Sequence, residues 1–254
     1  MNAYRRCPAA WAYRYVDGIK IAPAWAIKGR AQHKGLEVNY RQKVESREDL
    51  PLDDVLDAFR TEAQAAAEST TEEVVLFPGE SLGKIVDDGV AGLKTYQQAI
   101  APTVQPLMVE ERVTIPLPWG STLLGIMDVV DEGLRIRDAK FPADAMRADD
   151  LMYEAQPPLY SLAYKIKTGE WPAGVVFDVV SLGRAKAPNP KAESIPITVT
   201  PARVEAELRD LRAVEEAIQA GTVYRRPSAF NCNRCGYRRL CWGNGTPKGA
   251  SEAA

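Results

Sequence analysis

The chain has 254 residues, 46% of them hydrophobic and 26% charged, with a net charge of -2. That is ample apolar material for one large core, and the slightly acidic balance does not by itself announce a nucleic-acid binder. No apolar run approaches the roughly 18 residues of a membrane span and no signal-peptide core opens the chain. The expectation is therefore a cytoplasmic protein with no membrane partner.

Residues 2–15 read as a short helix carrying Cys7, with Tyr4, Trp11 and Tyr15 as apolar bulk at helical spacing. A second helix is expected over 28–46 and holds His33, the single histidine. Leu52–Glu68 and Leu82–Ile100 read as helices separated by a Pro78-Gly79 turn. The stretch Gly79–Ile85 has a phosphate-loop outline but is too short and lacks Ser or Thr after Lys84, so a nucleotide-driven motor is excluded. Met108–Leu117, Thr122–Val130 and Leu134–Phe141 are short and rich in apolar or β-branched residues. Pro118-Trp119-Gly120 and Asp131-Glu132-Gly133 divide them, which predicts a three-strand meander with tight turns. A helix follows at 154–168, ending at Gly169, then strands at 175–182 and 195–200. Thr200-Pro201 supplies an N-cap and a proline at the first helical position, opening a helix to about Ala220 with Gly221 beyond it. The order predicts an α/β (α+β) fold, one mixed sheet with helices against it.

Cysteines carry the next signal. Cys232, Cys235 and Cys241 are crowded near the C-terminus and Cys7 lies far away. A chain this long with four cysteines is not a secreted disulfide scaffold. Four thiolates would complete a zinc site or an iron–sulfur cluster. If they share one site, the two ends of the chain are fastened together, closing a loop worth roughly 5 kcal/mol by analogy with a disulfide. From Ala217 to Ser251 there is no acidic residue, while Arg225, Arg226, Arg234, Arg238, Arg239 and Lys248 are basic, and Arg5, Arg6 and Arg14 precede the first acid, Asp17. Met together, these stretches make a phosphate-attracting surface; apart, they are a solvated basic tail.

Within the meander, Asp128 sits in an otherwise apolar strand, where an unpaired carboxylate is costly. Asp138 and Lys140 end the next strand and share a face, because side chains repeat every two residues. Two carboxylates and an ammonium on one sheet face suit a divalent metal with a charge ready for water or phosphate. Asp-x-Lys alone is common at strand ends. Gln156 and Tyr160 lie one helical turn apart and face the same way, fit either to hold a phosphate or a lysine or to pack in the core. His33 alone reads as a surface helix residue sooner than as a ligand.

Taken in order, His33 after Gly29, Gly125-x-x-Asp128, Asp138-x-Lys140 and Gln156-x3-Tyr160 resemble the motif series of RecB-like nucleases in the PD-(D/E)XK superfamily. The flanking Cys7 and Cys232-x2-Cys235-x5-Cys241 resemble the iron–sulfur subset, the AddB-type and CRISPR-associated exonucleases and their phage relatives. The resemblance runs from Tyr4 to Cys241. It implies a restriction-endonuclease-like mixed sheet and a deoxyribonuclease acting on single-stranded DNA or DNA ends in repair or recombination. By the same resemblance, His33, Asp128, Asp138 and the Ala139 carbonyl hold Mg2+ or Mn2+, and Lys140 acts on the attacking water. Gln156 and Tyr160 position DNA or the lysine, and the four cysteines hold a structural [4Fe–4S] cluster, with zinc as the other occupant. A single domain over 1–245 is expected, with a helical insertion at about 48–101, a nuclease core at about 102–200, a staple from 1–15 and 223–245, and a disordered tail at 246–254. Recombination or replication proteins and a second copy of the chain are the further partners implied. Two features depart from the family pattern: Pro157 and Pro158 fall where the helix normally continues, and the chain opens almost directly at the Cys7 helix, so that either the true start lies upstream or this end is simply short. A non-catalytic DNA-binding or assembly subunit on the same fold is the competing reading.

Overall fold

The computed structural model describes residues 2–142, 146, 148–184 and 187–243. The expected tail at 246–254 lies outside them. At the N-terminus the single predicted helix is two, α1 (Asn2–Arg6) and α2 (Pro8–Tyr15), broken at Cys7 with φ -164° and ψ 107°. Pro8 is the reason, because a proline ring excludes the helical region from the residue before it. A three-residue strand β1 (Ile21–Pro23) follows, and α3 (Ala24–Ser46) starts directly after Pro23, earlier than predicted. The helices α4 (Leu52–Ala67) and α5 (Leu82–Ala99) match the prediction closely. Between them β2 (Glu73–Val75), which the sequence did not reveal, pairs with β1 in parallel.

The main sheet has the order β3-β4-β5-β6-β7. Its meander is β3 (Pro106–Pro116), β4 (Thr122–Asp131) and β5 (Arg135–Lys140), antiparallel as the tight turns require. A short α6 (Ala148–Met152) and α7 (Gln156–Thr168) then cross over to β6 (Gly174–Arg184), which pairs with β5 in parallel. The last strand, β7 (Ala187–Ile197), begins well before the predicted 195 and runs antiparallel to β6. Pro188 and Pro190 hid it, but β7 is the sheet edge, where proline is tolerated. The helix α8 (Pro201–Gln219) opens as predicted, with Thr200 Oγ1 accepting from the Arg203 amide, and two short turns, α9 (Ala229–Cys232) and α10 (Arg238–Trp242), are the last elements among the described residues.

Helices cover both faces of the sheet. On one face α3, α4 and α5 bury Leu36, Tyr40, Phe59, Leu93 and Tyr96 against Val129, Ala139 and Val180. On the other, α7 and α8 bury Ala163, Tyr164 and Leu211 against Met127, Ile136 and Phe177. The approach of α5 to α4 requires glycine at 89, where a Cβ would stand 2.2 Å from Phe59 Cζ.

One polar network runs through this apolar frame. Arg137 of β5 is buried and donates Nε to Asp178 Oδ2 (2.8 Å), Nη2 to Asp178 Oδ1 (2.6 Å) and to Ser194 Oγ (3.0 Å), and Nη1 to Asp131 Oδ2 (3.2 Å). Tyr96 of α5 adds its hydroxyl to Asp178 Oδ2 at 3.2 Å. Four neighbouring strands are thus joined through one guanidinium. Replacing Asp178, which is 0% exposed, by alanine leaves Arg137 short of its principal partner in a low dielectric. The expected loss is about 3–5 kcal/mol of stability, read as a lowered urea midpoint with an unchanged slope.

Candidate active site

The site lies where β4 and β5 part. Although β4 pairs with β3 along nearly its whole length, it meets β5 only at Val129↔Arg137 and Val130↔Ile136. One residue further along each strand stand Asp128 and Asp138, at the mouth of the split. The alternating exposure of β4 gives out here, since Met127 and the three residues from Val129 to Asp131 are all buried.

Asp138 and Lys140 share a face, as alternation predicts, and Lys140 Nζ lies 2.7 Å from Asp138 Oδ2. Above them is the first turn of α7. Gln156 accepts from Lys140 Nζ at 2.7 Å and offers its Nε2 to Tyr160 Oη at 3.2 Å and, weakly, to Asp138 Oδ1 at 3.5 Å. Pro157 and Pro158 fall in the first helical turn, where their missing N–H groups have no intrahelical acceptor to lose. The prolines that depart from the family pattern thus leave Gln156 in place. Gly125 lies under Tyr160, whose Cε1 would be 3.8 Å from an added Cβ.

From the opposite layer, α3 brings His33 to Asp128, with Nδ1 3.0 Å from Oδ2. Burial alone would lower the imidazole pKa, but the close contact with Asp128 and the charges of Asp128 and Asp138 push it up to about 9. Asp138 is pushed up to about 6, first by burial and then by the Asp128 carboxylate, with Lys140 and His33 opposing. Burial, then Asp128 and Asp138, likewise raise the Tyr160 phenol, with Gln156 opposing. Both Asp128 Oδ2 and Asp138 Oδ2 are buried without an aligned hydrogen-bond donor, despite the cationic nitrogens nearby. Ala139, next to Asp138 in β5, is buried and lines the cavity that also holds His33 and Asp128.

A further acid joins them that the sequence reading missed. Glu110 of β3 places a carboxylate oxygen within 4.8 Å of ligand atoms of His33 and Asp128. Its φ of 51° is unusual for a residue with a Cβ and is the kind of local strain held at functional sites. Burial and then Asp128 raise its pKa. The only sequence trace of it was a Glu110-Glu111 pair inside an otherwise β-like run.

Elsewhere on the surface, the N-terminal helices lie against the C-terminal segment of the described residues. Cys7, Cys232, Cys235 and Cys241 line one small cavity of about 20 Å³ and are free thiols. Around it the Ala9 amide donates to the Tyr224 carbonyl (3.0 Å), Arg226 to the Arg5 carbonyl (2.7 Å), Asn231 to the Arg6 carbonyl (3.1 Å) and Tyr4 Oη to the Thr222 carbonyl. Burial, and after it the neighbouring thiols, raise Cys235 and Cys241. Among the described residues, no helix is long and apolar enough to cross a membrane.

No curated protein matches the chain. Among solved structures, one from Eubacterium rectale described as a "Putative exonuclease" is 14% identical, covering 85% of this chain and 76% of that one at a TM-score of 0.47. Another, SSO0001, is 12% identical, covering 89% and 88% at a TM-score of 0.37. At these scores neither likeness carries an argument. The family comparison does: the model described as "PD-(D/E)XK nuclease superfamily" matches residues 1–242, a span that takes in the parted strands and all four cysteines. The five-stranded mixed sheet between helices agrees with that match, and the chain belongs to the PD-(D/E)XK nuclease superfamily.

Proposed function

We propose that the protein is a divalent-metal-dependent deoxyribonuclease of the RecB-like type, an exonuclease acting on single-stranded DNA or DNA ends. The observation that carries this reading is the convergence of His33, Glu110 and Asp128 on one side of the strand split with Asp138, Lys140 and Gln156 on the other. The donor set suits Mg2+ or Mn2+, being hard carboxylate oxygens with one imidazole, and two of those oxygens are buried without an aligned donor. His33, Asp128 and Asp138 with the Ala139 carbonyl are the proposed ligands, and Glu110 joins them. A bound divalent ion supplies charge neutralisation at the phosphate and a more acidic water.

The chain's own groups do the rest. Lys140 presents a compact positive charge to the developing phosphorane oxygens, and its orientation is set by Asp138 and Gln156. Gln156 is a positioning residue between Lys140 and Tyr160. Replacing Lys140 by alanine is expected to lower cleavage of end-labelled single-stranded DNA in Mn2+ by roughly 10²–10³-fold, and Asp138→Asn to lower it at least as far. Unchanged cleavage by either purified variant removes the reading. DNA binding without cleavage by the unsubstituted protein favours the non-catalytic subunit instead.

The protonation of the site gives a second test. An imidazole held protonated up to about pH 9 must release that proton to take a metal, whereas Asp138 has already released its proton above about pH 6. Mn2+ affinity without DNA is therefore expected to rise about tenfold per pH unit between 6 and 9, and to steepen below 6. Calorimetry in buffers of different ionisation enthalpy reads the released proton directly, and His33→Ala should flatten the slope.

We also read Cys7, Cys232, Cys235 and Cys241 as ligands of a structural [4Fe–4S] cluster, supported by four free thiols around one cavity. Anaerobically purified protein should be brown, absorb near ~400 nm and carry about four irons per chain. Stoichiometric zinc and no iron assigns the thiols to zinc instead.

A further inference from the structure

A groove of about 720 Å³ leads from Lys140 across the surface to the thiol-bearing end of the chain. Among the described residues that line it, every charged side chain is basic and no carboxylate appears, although the whole chain is slightly acidic. Its floor carries two aromatic rings in unusual exposure, Phe230 at 83% and Trp25 at 37%. The Arg6 guanidinium lies 5.8 Å from the centroid of each ring, close to both at once. Apolar rings left in water beside a cation are the features of a stacking platform, because a base presents a π-face and its phosphate a negative charge.

We propose that Trp25, Phe230 and Arg6 stack unpaired bases of a single DNA strand, with Lys28 and Arg234 on its phosphates, so that the groove delivers the strand to Lys140. This rests on the nuclease reading for its direction of travel but not for its binding chemistry. A volume in the range of small-ligand clefts, roughly 300–1,000 Å³, takes a short stretch of one strand and not a duplex, whose bases hide their faces in the stack. Lys28 agrees with an anion here. Burial and Arg234 hold its ammonium below the ordinary lysine range while Asp88 and Glu80 pull the other way, and a phosphate between the two cations relieves both penalties.

The test is anisotropy of a fluorescein-labelled 12-nucleotide strand, its duplex, and a strand with abasic sites, bound to the full chain in EDTA. Phe230→Ala and Trp25→Ala are each expected to weaken single-strand binding about tenfold and duplex binding far less. The abasic strand should lose a similar factor on the unsubstituted protein and little more on the variants. Because Phe230 is almost wholly in solvent, it decides the matter if Trp25→Ala fails to fold. Phe230→Tyr should restore binding. An equal loss on strand and duplex, or none on either, overturns the groove and leaves metal-dependent cleavage to stand on its own assay. Phe230-dependent strand binding by a protein that cleaves nothing retires the nuclease reading and keeps the groove.

Discussion

Everything at the active site depends on where β5 sits, and Arg137 sets that. Its guanidinium binds Asp178 in β6, Ser194 in β7 and Asp131 in β4, so the shortest strand of the sheet is held by its neighbours on both sides. Arg137 and Ala139 face the α3–α5 layer, and alternation sends Asp138 and Lys140 to the α7 side. Six residues therefore carry the sheet's polar clamp on one face and the Asp-x-Lys pair on the other. A slip of one residue would exchange them, and the buried ion pairs penalise such a slip far more than apolar packing would.

The same strand explains why the site is electrostatically unsettled. Asp128, Asp138 and Glu110 converge at a split, and burial, followed by repulsion from the Asp128 carboxylate, raises the pKa of Asp138 and Glu110. His33 and Lys140 stand against Asp128 and Asp138, yet the buried Oδ2 atoms of both aspartates lack aligned donors among the described residues. A fold free to maximise stability would not gather these groups. Their arrangement makes sense where a divalent cation completes the charge balance, and the protonated imidazole is the chain's own substitute for that charge.

Much of this was legible in the sequence, and the exceptions have physical causes. Asp128 was visible because a carboxylate is out of place in Leu-Leu-Gly-Ile-Met-Asp-Val-Val, and Gln156 and Tyr160 because helical spacing put them side by side, where they are hydrogen-bonded. The meander was visible through its turns. Arg137 was not, since an arginine between Ile136 and Asp138 looks like ordinary alternation, and only the fold shows that both faces of β5 are covered. Glu110 depends on a left-handed backbone angle that no local pattern announces. The early part of β7 was masked by prolines whose tolerance depends on its place at the sheet edge, a property of the assembled sheet. Likewise β1 and β2 are three-residue strands joined only by tertiary pairing.

The thiol cavity and the groove are one construction in sequence terms. Arg6 immediately precedes Cys7, Phe230 stands two residues before Cys232, and Arg234 immediately precedes Cys235. Cys7 is held extended by Pro8, which turns α1 away from α2 and sets Arg6 near both Trp25 and Phe230. Asn231 and Arg226 then tie the C-terminal segment to the carbonyls of Arg6 and Arg5. Any ion or cluster that gathers the four sulfurs must therefore also fix the spacing of the platform's guanidinium and its exposed ring, although neither touches it. The proposed clasp would therefore act on a DNA strand in the proposed groove through the residues beside its cysteines. That would be a physical reason for building such a groove from two segments so distant in sequence, since metal–thiolate bonds at the four cysteines would bring the covalently remote halves of the platform into register.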